Sequence, residues 1–173
     1  MVPGSLKDLY LDELSTLYDA ETQTIRALPR LAEAAHSPEL RDVLTRHSRE
    51  SRLHLERIEL IFTHWGERRP LRSSAGLTGI VQEADERLNQ EATPDARDAG
   101  IVAVAQRIEH YEIAAYSAAR SHALRLNRWD EARLLQESLD DEGRIDARLA
   151  AIAEADIAQY STFGATAPEP AAG

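Results

Sequence analysis

Read at three- and four-residue steps, the chain shows one apolar stripe after another. The first runs Tyr10, Leu14, Leu17, Glu21, Ile25, Leu28 and Leu31, the spacing of a helix that buries one face. Ser5-Leu6-Lys7-Asp8 opens it with a capping pattern, and it ends near His36. Pro29 lies inside it and predicts a kink, because one backbone donor is missing there. Ser37-Pro38-Glu39 then supplies an N-cap, a proline in the first turn and an acid beside it, a signal for a second helix that closes at Gly66. Its stripe is Leu40, Val43, His47, Glu50, His54, Ile58 and Ile61. Residues 67–76 read as loop, and a shorter helix from about Leu77 to Gln90 carries Leu77, Ile80, Val81, Ala84 and Leu88 on one face. Thr93-Pro94-Asp95 starts a third long helix, with Ile101, Val102, Ala105, Glu109, Glu112, Tyr116, Ala119, Ala123 and Leu126 along its stripe. After a break at Leu126-Asn127-Arg128, a fourth long helix carries Leu135, Leu139, Glu142, Asp146, Leu149 and Ile152. Periodicity stops near Tyr160. The division expected is therefore an N-terminal tail at 1–4, one helical domain at 5–158, and a disordered tail at 159–173.

The connections set the topology. Short links join the first long helix to the second and the third to the fourth, which makes two antiparallel hairpins. The middle link is long enough to cross the length of the bundle and has its own helix. An all-α four-helix bundle of the ferritin-like kind, with one long crossover carrying a short extra helix, is the fold these lengths predict.

Composition narrows the function classes. The 173 residues suit one domain with a full core, and the net charge of −10 argues against a nucleic-acid partner, which needs a basic stripe. Cysteine is absent, so thiolate metal sites, thiol catalysis and disulfides are excluded. No secretory leader and no apolar run of about 18 residues is evident, so a cytoplasmic protein without a membrane span is expected.

The candidate chemistry lies in the polar interruptions of the stripes. Glu21 is near the middle of the first long helix, Glu50 and His54 of the second, Glu109 and Glu112 of the third, and Glu142 and Asp146 of the fourth. Central positions fall at one level whichever way a helix runs, so the bundle would gather six carboxylates and an imidazole in one slice. A single Glu in a stripe is most often a misphased surface residue. Four independent interruptions at one depth are harder to produce that way. Such acids could not all ionise unpaired, and two metal ions would balance them, with trivalent ions matching six carboxylates. Oxygen-rich ligation suits iron or manganese better than zinc. His47 is read as a donor to a ligand, His110 as pointing off the seam, and Tyr18, Tyr111 and Tyr116 as packing residues beside the site.

Leu17-Tyr18-Asp19-Ala20-Glu21, the His47–Arg57 run, Ile108 to Tyr116 (above all Glu109-His110-Tyr111-Glu112) and Leu139-Asp140-Asp141-Glu142 with Asp146 resemble the YciE/YciF-type ferritin-like family of bacterial stress-response proteins. The resemblance spans about 5–157. It implies a dinuclear metal centre, often in a dimer, with Glu21, Glu50, His54, Glu109, Glu112, Glu142 and Asp146 as its ligands. Two departures stand out: the Glu-to-His spacing is four where the wider di-iron pattern has three, and the second acid of the fourth helix is the short Asp146. The expected function is oxidation of bound metal or consumption of peroxide or oxygen, iron being the first choice and manganese the second. The rival is a non-catalytic protective or partner-binding bundle whose metal, if any, is structural.

Overall fold

The computed structural model describes residues 4–164, with side chains through 155, as five helices: α1 Leu6–Ala34, α2 Pro38–Trp65, α3 Ala75–Leu88, α4 Pro94–Arg125 and α5 Trp129–Gly164. Residues 1–3 and 165–173 of the two expected tails lie outside the described residues. The helical backbone of α5 continues to Gly164, past the boundary expected at 158. The six residues past that boundary, Gln159 to Gly164, continue the helix without an apolar stripe that spacing could register. No strand occurs among the described residues, and none of their helices is long and apolar enough to cross a membrane.

The ends form where the capping chemistry is. Ser5, Ser37 and Thr93 each accept a hydrogen bond from the backbone N–H three residues on, at Asp8, Leu40 and Ala96. Gly66 closes α2 in the left-handed region at φ 62°, and Asn127 turns the chain between α4 and α5 at φ 57°. The helix α1 runs through Pro29, which is exposed. Asp98 ties the hairpins together: its carboxylate accepts from the backbone N–H of His36 and of Ser37, at 2.8 and 2.7 Å.

Contacts fix the directions. Glu21 meets Tyr116 and Thr24 meets Glu112, so α1 and α4 run antiparallel. Arg148 meets Glu39 and Arg57 meets Ser138, so α2 and α5 do too. With both hairpins antiparallel as well, α2 and α4 are parallel, and the chain must travel the bundle's length between them. The crossover does this, with α3 packed on α1 and α4. That docking is close: a Cβ added to Gly76 would stand 2.7 Å from the Tyr111 ring, and Ser74 donates to the Tyr111 hydroxyl at 2.8 Å.

The core divides in two. One apolar cluster includes Leu28, Leu31, Leu40, Leu44, Val104, Ile108 and Leu149. The other includes Tyr10, Leu14, Leu17, Ile58, Ile61, Tyr116 and Leu135. Between them in chain position on every long helix come the buried polar residues Glu21, His47, His54, Glu109, Glu112 and Glu142.

Candidate metal centre

These six side chains form two groups of potential ligands: His47, Glu109, Glu112 and Glu142 in one, and Glu21, His54 and Glu142 in the other. Within each group the ligand atoms lie within 4.8 Å of one another, and all six residues are fully shielded from solvent. Glu142 belongs to both, so the groups are neighbours that share one carboxylate.

Their contacts are close without being satisfied. His47 Nδ1 is 2.8 Å from Glu109 Oε1, and His47 Nε2 is 3.1 Å from Glu142 Oε2. His54 Nδ1 is 2.9 Å from Glu142 Oε1. Yet both His47 nitrogens, both oxygens of Glu109 and of Glu142, and one oxygen each of Glu21 and Glu112 have no hydrogen-bond partner. The atoms approach one another off the hydrogen-bonding direction. Unpartnered buried carboxylates are costly, and among the described residues the ion pairs of these four acids are all with the two imidazoles. Acceptors converging from several helices on a shared space have the donor set of a metal site, so the residues present fit a bound cation.

The surrounding side chains orient this set. Tyr116 donates its hydroxyl to Glu21 Oε1 at 2.6 Å, and Thr24 donates to Glu112 Oε1 at 2.8 Å. His54 has two distinct sides. Its Nδ1 faces Glu21 at 3.0 Å and Glu142, while Nε2 meets Asp141 Oδ2 at 3.3 Å. Arg57 donates to that same Asp141 oxygen at 2.9 Å, and Arg144 pairs with the other. A histidine whose outer nitrogen is held by a carboxylate keeps its inner nitrogen free to bind metal.

Protonation follows from burial. Burial raises the Glu109 carboxyl to about 8, although His47 pulls the other way. Burial together with Glu21 and Glu142 holds Glu112 well above the usual range. Burial alone would disfavour a charged imidazole, but the acids outweigh it: His54 rises to about 10 through Glu21 and Glu142, and His47 rises through Glu109 and Glu142. Burial also pushes on Glu142, where the two imidazoles win and hold it low. Without a cation the centre therefore retains protons on some of its groups, which a cation must displace.

Of the residues the sequence singled out, Glu21, His54, Glu109, Glu112 and Glu142 come together here. Glu50 and Asp146 stand outside both groups. The Glu50 side chain is 29% exposed with Arg46 at 3.9 Å, and Asp146 is 26% exposed with His110 Nε2 at 3.2 Å. Helical phase explains both, since at about 100° per residue each lies roughly 60° from the buried line of its helix. His47 takes the place in α2 that Glu50 was expected to fill, as a member of a group and not only a donor to one. The seven-residue step from His47 to His54, two full turns, was the signal in the sequence. Four carboxylates with neutral imidazoles balance two divalent ions, so the charge argument for trivalent metal, which needed six, no longer holds.

Residues 5–162 match a family described as a domain of unknown function, DUF892. Protein YciF of Escherichia coli (strain K12) is 32% identical over 150 residues, 86% of this chain and 90% of YciF. The crystal structure of the E. coli stress protein YciF superposes with a TM-score of 0.87 at 30% identity, covering 90% of this chain and 98% of that one. The structure of YcfI from Rhodopseudomonas palustris gives 0.81 at 34% identity, covering 84% and 93%.

Proposed function

Because the chain belongs to the DUF892 family, with the E. coli stress protein YciF among its relatives, we propose that its bundle holds a dinuclear, carboxylate-rich metal centre that oxidises metal or consumes peroxide or oxygen under stress. The observation that carries this reading is the sharing of Glu142 between two buried, unsatisfied ligand groups. Glu142 would touch both ions. Glu109, Glu112 and His47 would hold one, and Glu21 and His54 the other. In this arrangement Glu142 would take the bridging role. Iron is the first choice and manganese the second, and either supplies electrons by changing oxidation state.

The chain's own residues do the rest. Tyr116 and Thr24 fix the rotamers of Glu21 and Glu112, so little reorganisation is needed when an ion arrives. Asp141 keeps the proton of His54 on Nε2 and leaves Nδ1 turned inward. The two apolar clusters exclude bulk water on either side. Glu109, whose carboxyl burial raises to about 8, would give up its proton on loading, and Glu112 is shifted in the same direction by burial. The resemblance to the YciE/YciF type is what supports a cytoplasmic setting and a homodimer. The proposed partners are metal ions and peroxide or oxygen, with no nucleic acid and no membrane.

Metal analysis of protein purified without chelator, followed by reconstitution, tests this directly. Two equivalents of iron or manganese per chain and peroxide consumption by the loaded protein are expected. Metal that raises the melting temperature while peroxide is never consumed would replace this reading with a structural centre. No metal after reconstitution would remove it.

A further inference from the structure

Ser51 is fully buried in α2, and its hydroxyl has no hydrogen-bond partner. That is unusual for this molecule. Hydroxyls inside helices can return to the carbonyl four residues back, and Ser15, Thr16, Thr22, Thr45, Thr63 and Thr78 all do so. The other hydroxyls bonded to the centre are committed to its carboxylates, Thr24 to Glu112 and Tyr116 to Glu21. Ser51 has neither arrangement. It follows His47 by four residues and precedes His54 by three, so it shares their face of α2 about one turn from each.

A hydroxyl in this position has given up its water contacts with nothing in return. Alanine would fill the same space at no such cost. The ionised carboxylates of the centre only accept hydrogen bonds, and its imidazole nitrogens face carboxylates or Asp141. Among the described residues of this slice, Ser51 is the uncommitted neutral donor.

We propose that Ser51 Oγ donates a hydrogen bond to a small oxygen ligand, water or hydrogen peroxide, that enters the centre beside the two imidazoles. The assignment rests on the metal reading above and deepens it, because it names the side chain that receives the oxidant. A neutral hydroxyl suits this role, since it can donate to an oxygen ligand without altering the charge balance between four carboxylates and two divalent cations.

The experiment compares wild type with Ser51→Ala in three measurements. These are cobalt(II) stoichiometry, azide binding to the cobalt-loaded protein followed by visible absorption, and the melting temperature of the metal-free protein. The variant should take up the same cobalt and bind azide about tenfold more weakly, the loss of one hydrogen bond. Its metal-free form should melt about 2–4 °C higher, since an unpaired buried hydroxyl is gone. Equal azide affinity overturns the proposal, even if the melting temperature rises, and leaves Ser51 holding a structural water at most. A lower melting temperature of the metal-free variant also overturns it, because the hydroxyl would then be supporting the fold. If wild type itself takes no cobalt, the metal reading has failed and the Ser51 assignment falls with it.

Discussion

Two of the places where the bundle buries carboxylates are treated in opposite ways. At one end, Glu131 is 1% exposed in the first turn of α5, where the helix N-terminus favours negative charge. Tyr10 and Trp65 both donate to one of its oxygens at 3.0 Å, and Arg128 donates to the other at 2.7 Å. Arg128 also lies over the Trp65 ring, 4.7 Å from its centroid, so its charge is stacked as well as paired. In the middle, four carboxylates have no guanidinium or ammonium among them, and most of their oxygens lack a partner. The same chain that pairs one buried acid with arginine sets four others among two imidazoles and one another, with most of their oxygens unpartnered.

That difference can be broken from either side. The largest effect is expected at the shared acid. Glu142→Ala should abolish binding of both ions, while Glu21→Ala should leave one, as counted by metal analysis after reconstitution. At a hundredfold excess of metal over its Kd, each bound ion should add about 2.7 kcal/mol to wild type, and loading should add nothing to the Glu142 variant. At the other acid, Arg128→Ala should cost about 1.5–3 kcal/mol in denaturant unfolding, because it strips hydrogen bonds from a charged group, with metal content unchanged. A loss of metal in that variant would mean the two regions are not independent.

The pH response sharpens the contrast further. Glu109 folds with its carboxyl raised from 4.5 to about 8, so the stability tied to its protonated form is lost as pH rises through about 8. His54 is raised from 6.5 to about 10, so its contribution is complete below 6.5 and lost as pH rises through about 10. Both have the same sign. The melting temperature of the metal-free protein should therefore fall between about pH 4.5 and 10, and metal loading should flatten that slope. A metal-free protein whose melting temperature is level across this window would show that those protons are not held. The smallest effect is expected where α3 docks. Gly76→Ala forces a methyl against Tyr111 and should cost about 1–3 kcal/mol through the docking of α3, leaving metal stoichiometry as it was.

Much of this was readable in the residues, for identifiable reasons. Ser37-Pro38, Gly66 and Thr93-Pro94 act within a turn or two of chain, so the helix ends they mark were legible. The depth of the polar interruptions was legible too, because a central residue stays central in any antiparallel bundle. What was not legible was phase. Glu50 and His47 lie only three residues apart, and choosing between them requires the direction of the buried face to within a fraction of a turn. Asp141 was harder still. It lies on the flank of α5 beside Glu142, and nothing in its local sequence says that His54, from another helix, will reach it. The end of α5 lies beyond the point where the periodicity stops, so spacing gave no sign of it.

The division of ligands between hairpins has a mechanical side. Glu21, His47 and His54 belong to α1 and α2, whereas Glu109, Glu112 and Glu142 belong to α4 and α5. Each group draws on both halves, so neither half could grip an ion by itself. A cation seated there would act as a rivet through two plates, holding the hairpins together from inside.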